Sequence, residues 1–262
     1  MRQGGRLYFK FIKMHFLSWL EYKGWWLAFI QQFIMCTIEL LPTWLMFYRM
    51  GDIGEWSMER ILLIYSMAII SFGIAEAFCD GFAAFPWKML QSGDFDRLLL
   101  RPKSLALQVA GSVFSVYRLT RAFWGIGLAI WALRELKISF SVFNMVVLIL
   151  AIIGGVLMYS GIFILSSGIA FFTIKALDWI NIFTYASYQI TRIPIVYMPG
   201  WIKNFFTFVA PLLVVSYYPV AAVCNWEKKY YGLIALPAGA LFFTASLVVW
   251  KIGIAHYKST GS

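Results

Sequence analysis

Charge is scarce in this 262-residue sequence. Lys, Arg, Asp and Glu make up 13% of it, against about 25% in an ordinary soluble domain. Histidine is scarcer still, with His15 and His256 near opposite ends of the chain, which excludes an intramembrane metalloprotease, whose chemistry needs histidines clustered inside spans. Cysteine occurs at positions 36, 79 and 224. These are odd in number, set in apolar surroundings and without metal-ligand spacing, so they read as reduced packing residues. There is no G-x-x-x-x-G-K-[ST] phosphate loop, so ATP hydrolysis by that route is excluded. No acids converge with a histidine or nucleophile at one depth, which speaks against a membrane enzyme acting on lipid-linked substrates. No internal repeat is evident, which speaks against an ion-coupled secondary carrier. Between Arg2 and Lys23 no uninterrupted apolar core occurs, so the start does not read as a cleaved signal peptide.

Apolar sequence is abundant. Hydrophobic residues account for 61% of the chain and Phe, Trp and Tyr for 19%. About 20 apolar residues cross a bilayer as a helix, and runs of that length fall near Trp25–Tyr48, Ile61–Phe85, Leu107–Leu133, Phe143–Thr173, Trp179–Tyr197 and Gly232–Lys251. The expected fold is an all-α membrane protein: one domain, 1–262, with six transmembrane helices. The stretch Gly200–Cys224, apolar but broken by Pro211 and Pro219, suits a re-entrant segment before the last span. Residues 1–24 suit an N-terminal interfacial helix, with Tyr8, Phe9, Ile12, Phe16, Trp19 and Leu20 on one face and Arg6, Lys10, Lys13 and Glu21 opposite. Gly154, Gly161 and Gly168 form a seven-residue stripe that lets another helix approach closely.

Lys and Arg in short loops stay in the cytoplasm. The basic segment before the first span, the basic stretch after the second and the tail Lys251–Ser262 would therefore face inside, and the acidic Asp52–Arg60 loop outside. Arg134, Lys137, Lys203, Lys228 and Lys229 fall outside on this topology, against the trend. The net charge of +10 is explained by basic residues flanking spans and facing anionic lipid, without nucleic acid.

A few charges lie within spans, where they usually face protein or water. Glu76 and Asp80 are one turn apart in the second span, Arg118 and Arg121 in the third. Glu76 and Arg118 each fall ~23 Å from the outer ends of their spans, which favours an ion pair fixing how the two helices pack over a proton or substrate relay. Glu39 and Arg192 are likewise both ~20 Å from their cytoplasmic ends; they pair or line a path.

The most distinctive segment is polar: Gly93-Asp94-Phe95-Asp96-Arg97-Leu98-Leu99-Leu100-Arg101-Pro102-Lys103-Ser104. Asp94 suits an N-cap and Pro102 a stop. Phe95, Leu98 and Leu99 share a face, either lying on headgroups or docking a soluble partner.

This segment, read on through Leu105-Ala106-Leu107-Gln108-Val109, resembles the loop of ABC-2 type transporter permeases of the small bacterial export-system kind. The resemblance extends to Gly54-Glu55-Trp56-Ser57, Ala75-Glu76-Ala77-Phe78, Gly154-Gly155, Tyr197-Met198-Pro199-Gly200-Trp201 and the ending His256–Ser262, which looks like the family's natural C-terminus. Phe171-Phe172-Thr173 stands where the family commonly shows Phe-Trp-Thr, and Ile193-Pro194-Ile195 where Tyr-Pro-Leu is more usual. The resemblance implies a plasma-membrane permease without ATPase motifs of its own, both termini cytoplasmic. It would be paired with a second permease, a different chain or otherwise a second copy. Two copies of a separate ATPase, binding ATP and Mg, would drive it. The loop 86–104 would be the coupling helix, its contact falling on Trp87, Leu90, Asp94, Phe95, Arg97, Leu98, Leu99 and Arg101.

Overall fold

The computed structural model describes residues 2–21, 23–138, 141–173 and 180–257, and the side chains of these except 2–7 and 180–183. The expected start of the fifth span at Trp179 and the tail from Lys258 lie outside the described residues. Among the described residues all regular elements are helical: α1 (Arg2–Glu21), α2 (Trp25–Met50), α3 (Met58–Phe85), α4 (Asp94–Leu99), α5 (Leu105–Ala110), α6 (Leu119–Glu135), α7 (Val142–Thr173), α8 (Ile180–Ile190), α9 (Gly200–Asn204), α10 (Leu212–Val223) and α11 (Ala235–His256).

Among the described residues, four helices are long and apolar enough to cross a bilayer: Trp25–Met50, Met58–Leu90, Val142–Thr173 and Lys229–His256. The pair Gly200–Val209 and Leu212–Val223, bent by 96°, makes a fifth if it is counted as one span. The bend sits at Ala210 and Pro211, where proline's fixed ring and missing N–H interrupt the helical ladder; Pro219 is accommodated inside α10.

The core is built around α3. Its residues are buried on every side from Ile61 to Ala77 apart from Ile74, because α6, α7, α8 and α10 all pack against it. Helix α7 runs beside α3 with Gly155 over Ser71, whose hydroxyl bonds the Met67 carbonyl at 2.8 Å. On its other flank α7 meets α11. Gly154, Gly161 and Gly168 face Ala235, Phe242 and Trp250 in turn, so the two helices run parallel; the close approach is what the glycine stripe predicts. A side chain added at Gly239 would collide with the Gly154 backbone. In lipid, where apolar surface gains little from leaving the solvent, such close packing is a main source of helix association.

Helix α2 is the outlier. Phe33 stands against Trp124 of α6, ring centroids 4.8 Å apart, but Trp26, Leu27, Ile30 and Ile34 are exposed. Helix α1 is anchored by Tyr8, whose hydroxyl donates to the Phe78 carbonyl at 2.8 Å, and by His15, 3.1 Å from the Gly111 carbonyl. Burial pushes the Tyr8 phenol well above its usual range, keeping it a donor. Tyr8, Phe11, Ile12, His15 and Trp19 turn inward, while Phe9, Phe16 and Leu20 are exposed.

The third expected span, Leu107–Leu133, is not one helix. It divides into α5, a break at Gly111–Ser115, a 3-10 turn at Val116–Arg118 and α6. The carbonyls freed at the break find side-chain partners: Ser112 donates to Val109 at 2.7 Å, and His15 meets Gly111. Such pairing is what makes an interrupted helix tolerable in an apolar setting.

Candidate functional site

Two constellations stand out from the apolar frame. The first joins α3, α6 and α8. Gly73 lets the backbone of α6 come close, since a Cβ there would meet Arg121 Cβ and the Ala122 nitrogen, each at 2.9 Å. One turn along α3, Glu76 pairs through one carboxylate oxygen with Arg118 Nη1 and through the other with Arg121 Nη1. Arg118 Nη2 reaches Asp80 at 3.1 Å. The Tyr185 hydroxyl donates to Glu76 at 2.6 Å, and the Arg121 guanidinium lies 5.2 Å from the Phe72 ring centroid and 5.4 Å from that of Tyr185. Two anions and two cations balance to zero, so that their mutual attraction can offset the cost of taking each of them out of water.

Depth matching thus predicts the Glu76–Arg118 contact. It misses that Arg121 serves the second oxygen of Glu76 and that Tyr185 completes the group. Arg121 stands one turn on from Arg118, and that spacing is a usable signal. Tyr185 is one of 14 tyrosines, with no local mark to single it out.

Glu39 and Arg192 also meet, but not as an ion pair. Arg192 donates to the backbone carbonyl of Glu39 and, at 3.1 Å, to Gln189 Oε1. The Glu39 carboxylate accepts from the Tyr188 hydroxyl at 3.2 and 3.3 Å. Tyr188, one turn earlier than Arg192, already occupies the acid, and the Arg192 guanidinium stacks instead over Tyr65, 5.3 Å from its centroid.

The second constellation is the polar segment. Gly93, with φ +76°, is the residue before α4, a left-handed conformation that glycine adopts without strain. Asp94 is therefore the first residue of the helix, not its cap as expected. Its N–H is 3.3 Å from Ser92 Oγ, and its carboxylate takes Arg97 at 3.2 Å.

The expected outward face is also corrected. Phe95 is fully buried, its ring 5.3 Å from Phe85, 5.2 Å from Phe171 and 4.9 Å from Tyr257. It fills a pocket of its own protein. Leu90 is buried too, and Leu98 half-buried against the same cluster. The surface left outward carries Trp87, Arg97, Leu99, Leu100 and Arg101. Among the described residues no group of His, Cys, Asp or Glu is placed to hold a metal ion.

These features define an α-helical integral membrane protein with a neutral charged node in its core and a short polar module mounted at one end. The family model described as ABC-2 family transporter protein matches residues 33–261, and the chain belongs to that family. It is thus the membrane component of an ATP-binding cassette transporter, a class that works with an ATPase subunit. No curated protein and no solved structure matches the chain.

Proposed function

We propose that this chain is the permease half of an ABC exporter in a bacterial plasma membrane, with both termini cytoplasmic and six spans formed by α2, α3, α6, α7, α8 and α11. On this layout α9 and α10 form the re-entrant hairpin on the outer side, residues 1–24 lie in the inner interface, and α4 within 86–104 is the coupling helix. The ATPase, in two copies, supplies ATP and Mg binding. A second permease, a different chain or otherwise a second copy, completes the path.

The observation that carries this reading is the mounting of α4. A six-residue helix seated by one buried aromatic on α3, α7 and the residue after α11 can pass a push into three elements at once. Its outward Trp87, Leu99 and Leu100 offer the apolar anchors on which protein contacts mostly depend, with Arg97 and Arg101 at the rim. The charged node then serves as a fixed brace between α3, α6 and α8. The test is hydrolysis by the purified chain with and without its ATPase. ATP turnover should appear only when the ATPase is present and should fall when Leu100 and Trp87 are truncated. Vanadate-sensitive turnover by the chain alone, free of contaminating ATPase, would overturn the reading.

A further inference from the structure

A cavity of about 480 Å³ opens between α2, the start of α6 and α8, lined by Gln31, Gln32, Tyr117, Arg118, Arg121 and Tyr185 among others. Its size is within the range of small-molecule sites. What sets its character is how the charged node is layered. Glu76 is 0% exposed, whereas Arg118 and Arg121 keep 18% and 12% of their side chains accessible. Glu76 is thus behind the two guanidinium groups, and Asp80, 14% exposed, is outside the cavity lining. No carboxylate is among the described residues lining the cavity. A group entering it meets two guanidinium groups, two amides and two phenols: a wall rich in hydrogen-bond donors, with the paired acids outside the lining.

The next turns of α6 are apolar. A cleft of about 390 Å³ follows them, lined by Phe33, Phe123, Trp124, Leu128 and Trp131. Arg121 to Trp131 spans ~15 Å of helix, close to the length of one leaflet's acyl region given a hydrocarbon core of about 30 Å. Arg118 itself is ~25 Å from the far end of α6, so the donors are near one membrane face and the apolar cleft runs toward the middle.

We infer that the α2–α6 seam holds a phospholipid with an anionic headgroup. The phosphate-bearing head sits against Arg118, Arg121, Gln31 and Gln32, and an acyl chain lies along Phe123, Trp124 and Trp131. Arginine forks and amide donors recognise phosphate oxygens, and a partly desolvated setting strengthens each charge-assisted bond. Helix α2 packs lightly, so the seam opens sideways to the bilayer. The site concerns this chain alone and is independent of whether an ATPase partner is found.

Native mass spectrometry of the full-length chain in detergent, titrated with phosphatidylglycerol and separately with phosphatidylcholine, tests it. Retention of one phosphatidylglycerol at several-fold lower concentration than phosphatidylcholine is expected. Gln31→Glu, which puts a negative charge in the cavity without touching the Glu76 network, should weaken phosphatidylglycerol about tenfold, as a unit charge a few ångströms away does at intermediate dielectric. Gln31→Lys should hold or improve it. The opposite signs of the two variants separate headgroup recognition from a folding defect. Equal retention of the two lipids, or indifference to Gln31→Glu, would overturn the site. So would displacement of the lipid by millimolar inorganic phosphate, which would make it a site for a free anion.

Discussion

Phe95 stands edge-on to Phe85, the ring centroids 5.3 Å apart and the planes at 88°, an arrangement that suits the aromatic quadrupoles. Through this contact the polar segment is joined to the end of α3, the most buried of the four candidate spans among the described residues. Phe95→Ala should therefore act on the fold. A cost of about 3–5 kcal/mol is typical for emptying a buried phenylalanine site. The expected outcome is a lower monodisperse yield in detergent and a lower melting temperature, measured by scanning fluorimetry. Phe95→Leu should recover much of the loss.

The outward residues should behave oppositely. Trp87→Ala, Leu99→Ala and Leu100→Ala leave the core untouched, since these side chains are exposed. Yield and melting temperature should match the parent, while co-purification of the ATPase falls severalfold, with Leu100 and Trp87 dominant if they are the buried anchors of the contact. Arg101→Ala should mainly flatten the salt sensitivity of binding, because it removes an attraction that salt screens. Unchanged capture by all three apolar variants would leave this surface without a partner.

In the charged node the double substitutions are more telling than the singles. Glu76→Ala leaves Arg118 and Arg121 with Asp80 alone, and breaking such a buried group costs roughly 3–5 kcal/mol. Glu76→Gln with Arg121→Gln keeps the Arg118–Asp80 contact at 3.1 Å. Glu76→Gln with Arg118→Gln strands Arg121 and Asp80 apart. The first pair should recover more folded protein than the second, by size-exclusion yield. The reverse order would mean that Arg121, not Arg118, is the main partner of the acids.

The glycine seam makes a steric prediction. Gly239→Leu drives a side chain into the Gly154 backbone, and overpacking of this kind costs about 1–3 kcal/mol or more when backbone must move. Gly127→Leu, where nothing lies within 4 Å, should be nearly silent. Thermal melts of the two proteins in the same detergent decide it.

How far these features were legible in the sequence depended on whether a pattern carries direction. Apolar run length predicted α2, α3, α7 and α11, and the seven-residue glycine spacing predicted their closest seam. Equal depth predicted that Glu76 meets Arg118, because unpaired charge is costly in an apolar interior. The same depth rule brought Glu39 near Arg192 but did not show that Tyr188 would take the carboxylate. The i, i+3, i+4 spacing of Phe95, Leu98 and Leu99 identified a face but not which way it points. That is decided by Phe171 and Tyr257, more than 70 residues away in sequence. The break at Gly111–Ser115 was hidden because apolar Val113 and Phe114 continue the run. What interrupts it is tertiary: Gly81 receives the Val109 carbonyl and His15 the Gly111 carbonyl.

With backbone meeting backbone at Gly154–Gly239 and at Gly168–Trp250, α7 and α11 have little room to slide past one another. They can translate or tilt together, but shearing one past the other would carry Phe242 off Gly161 and Trp250 off Gly168, against bulkier neighbours. Any cycle that opens a route through the bilayer must therefore find its moving joint elsewhere. Helix α2, held by few contacts and flanked by two clefts, is the part whose displacement would disturb the least packing, and the fused pair is the frame against which it would swing.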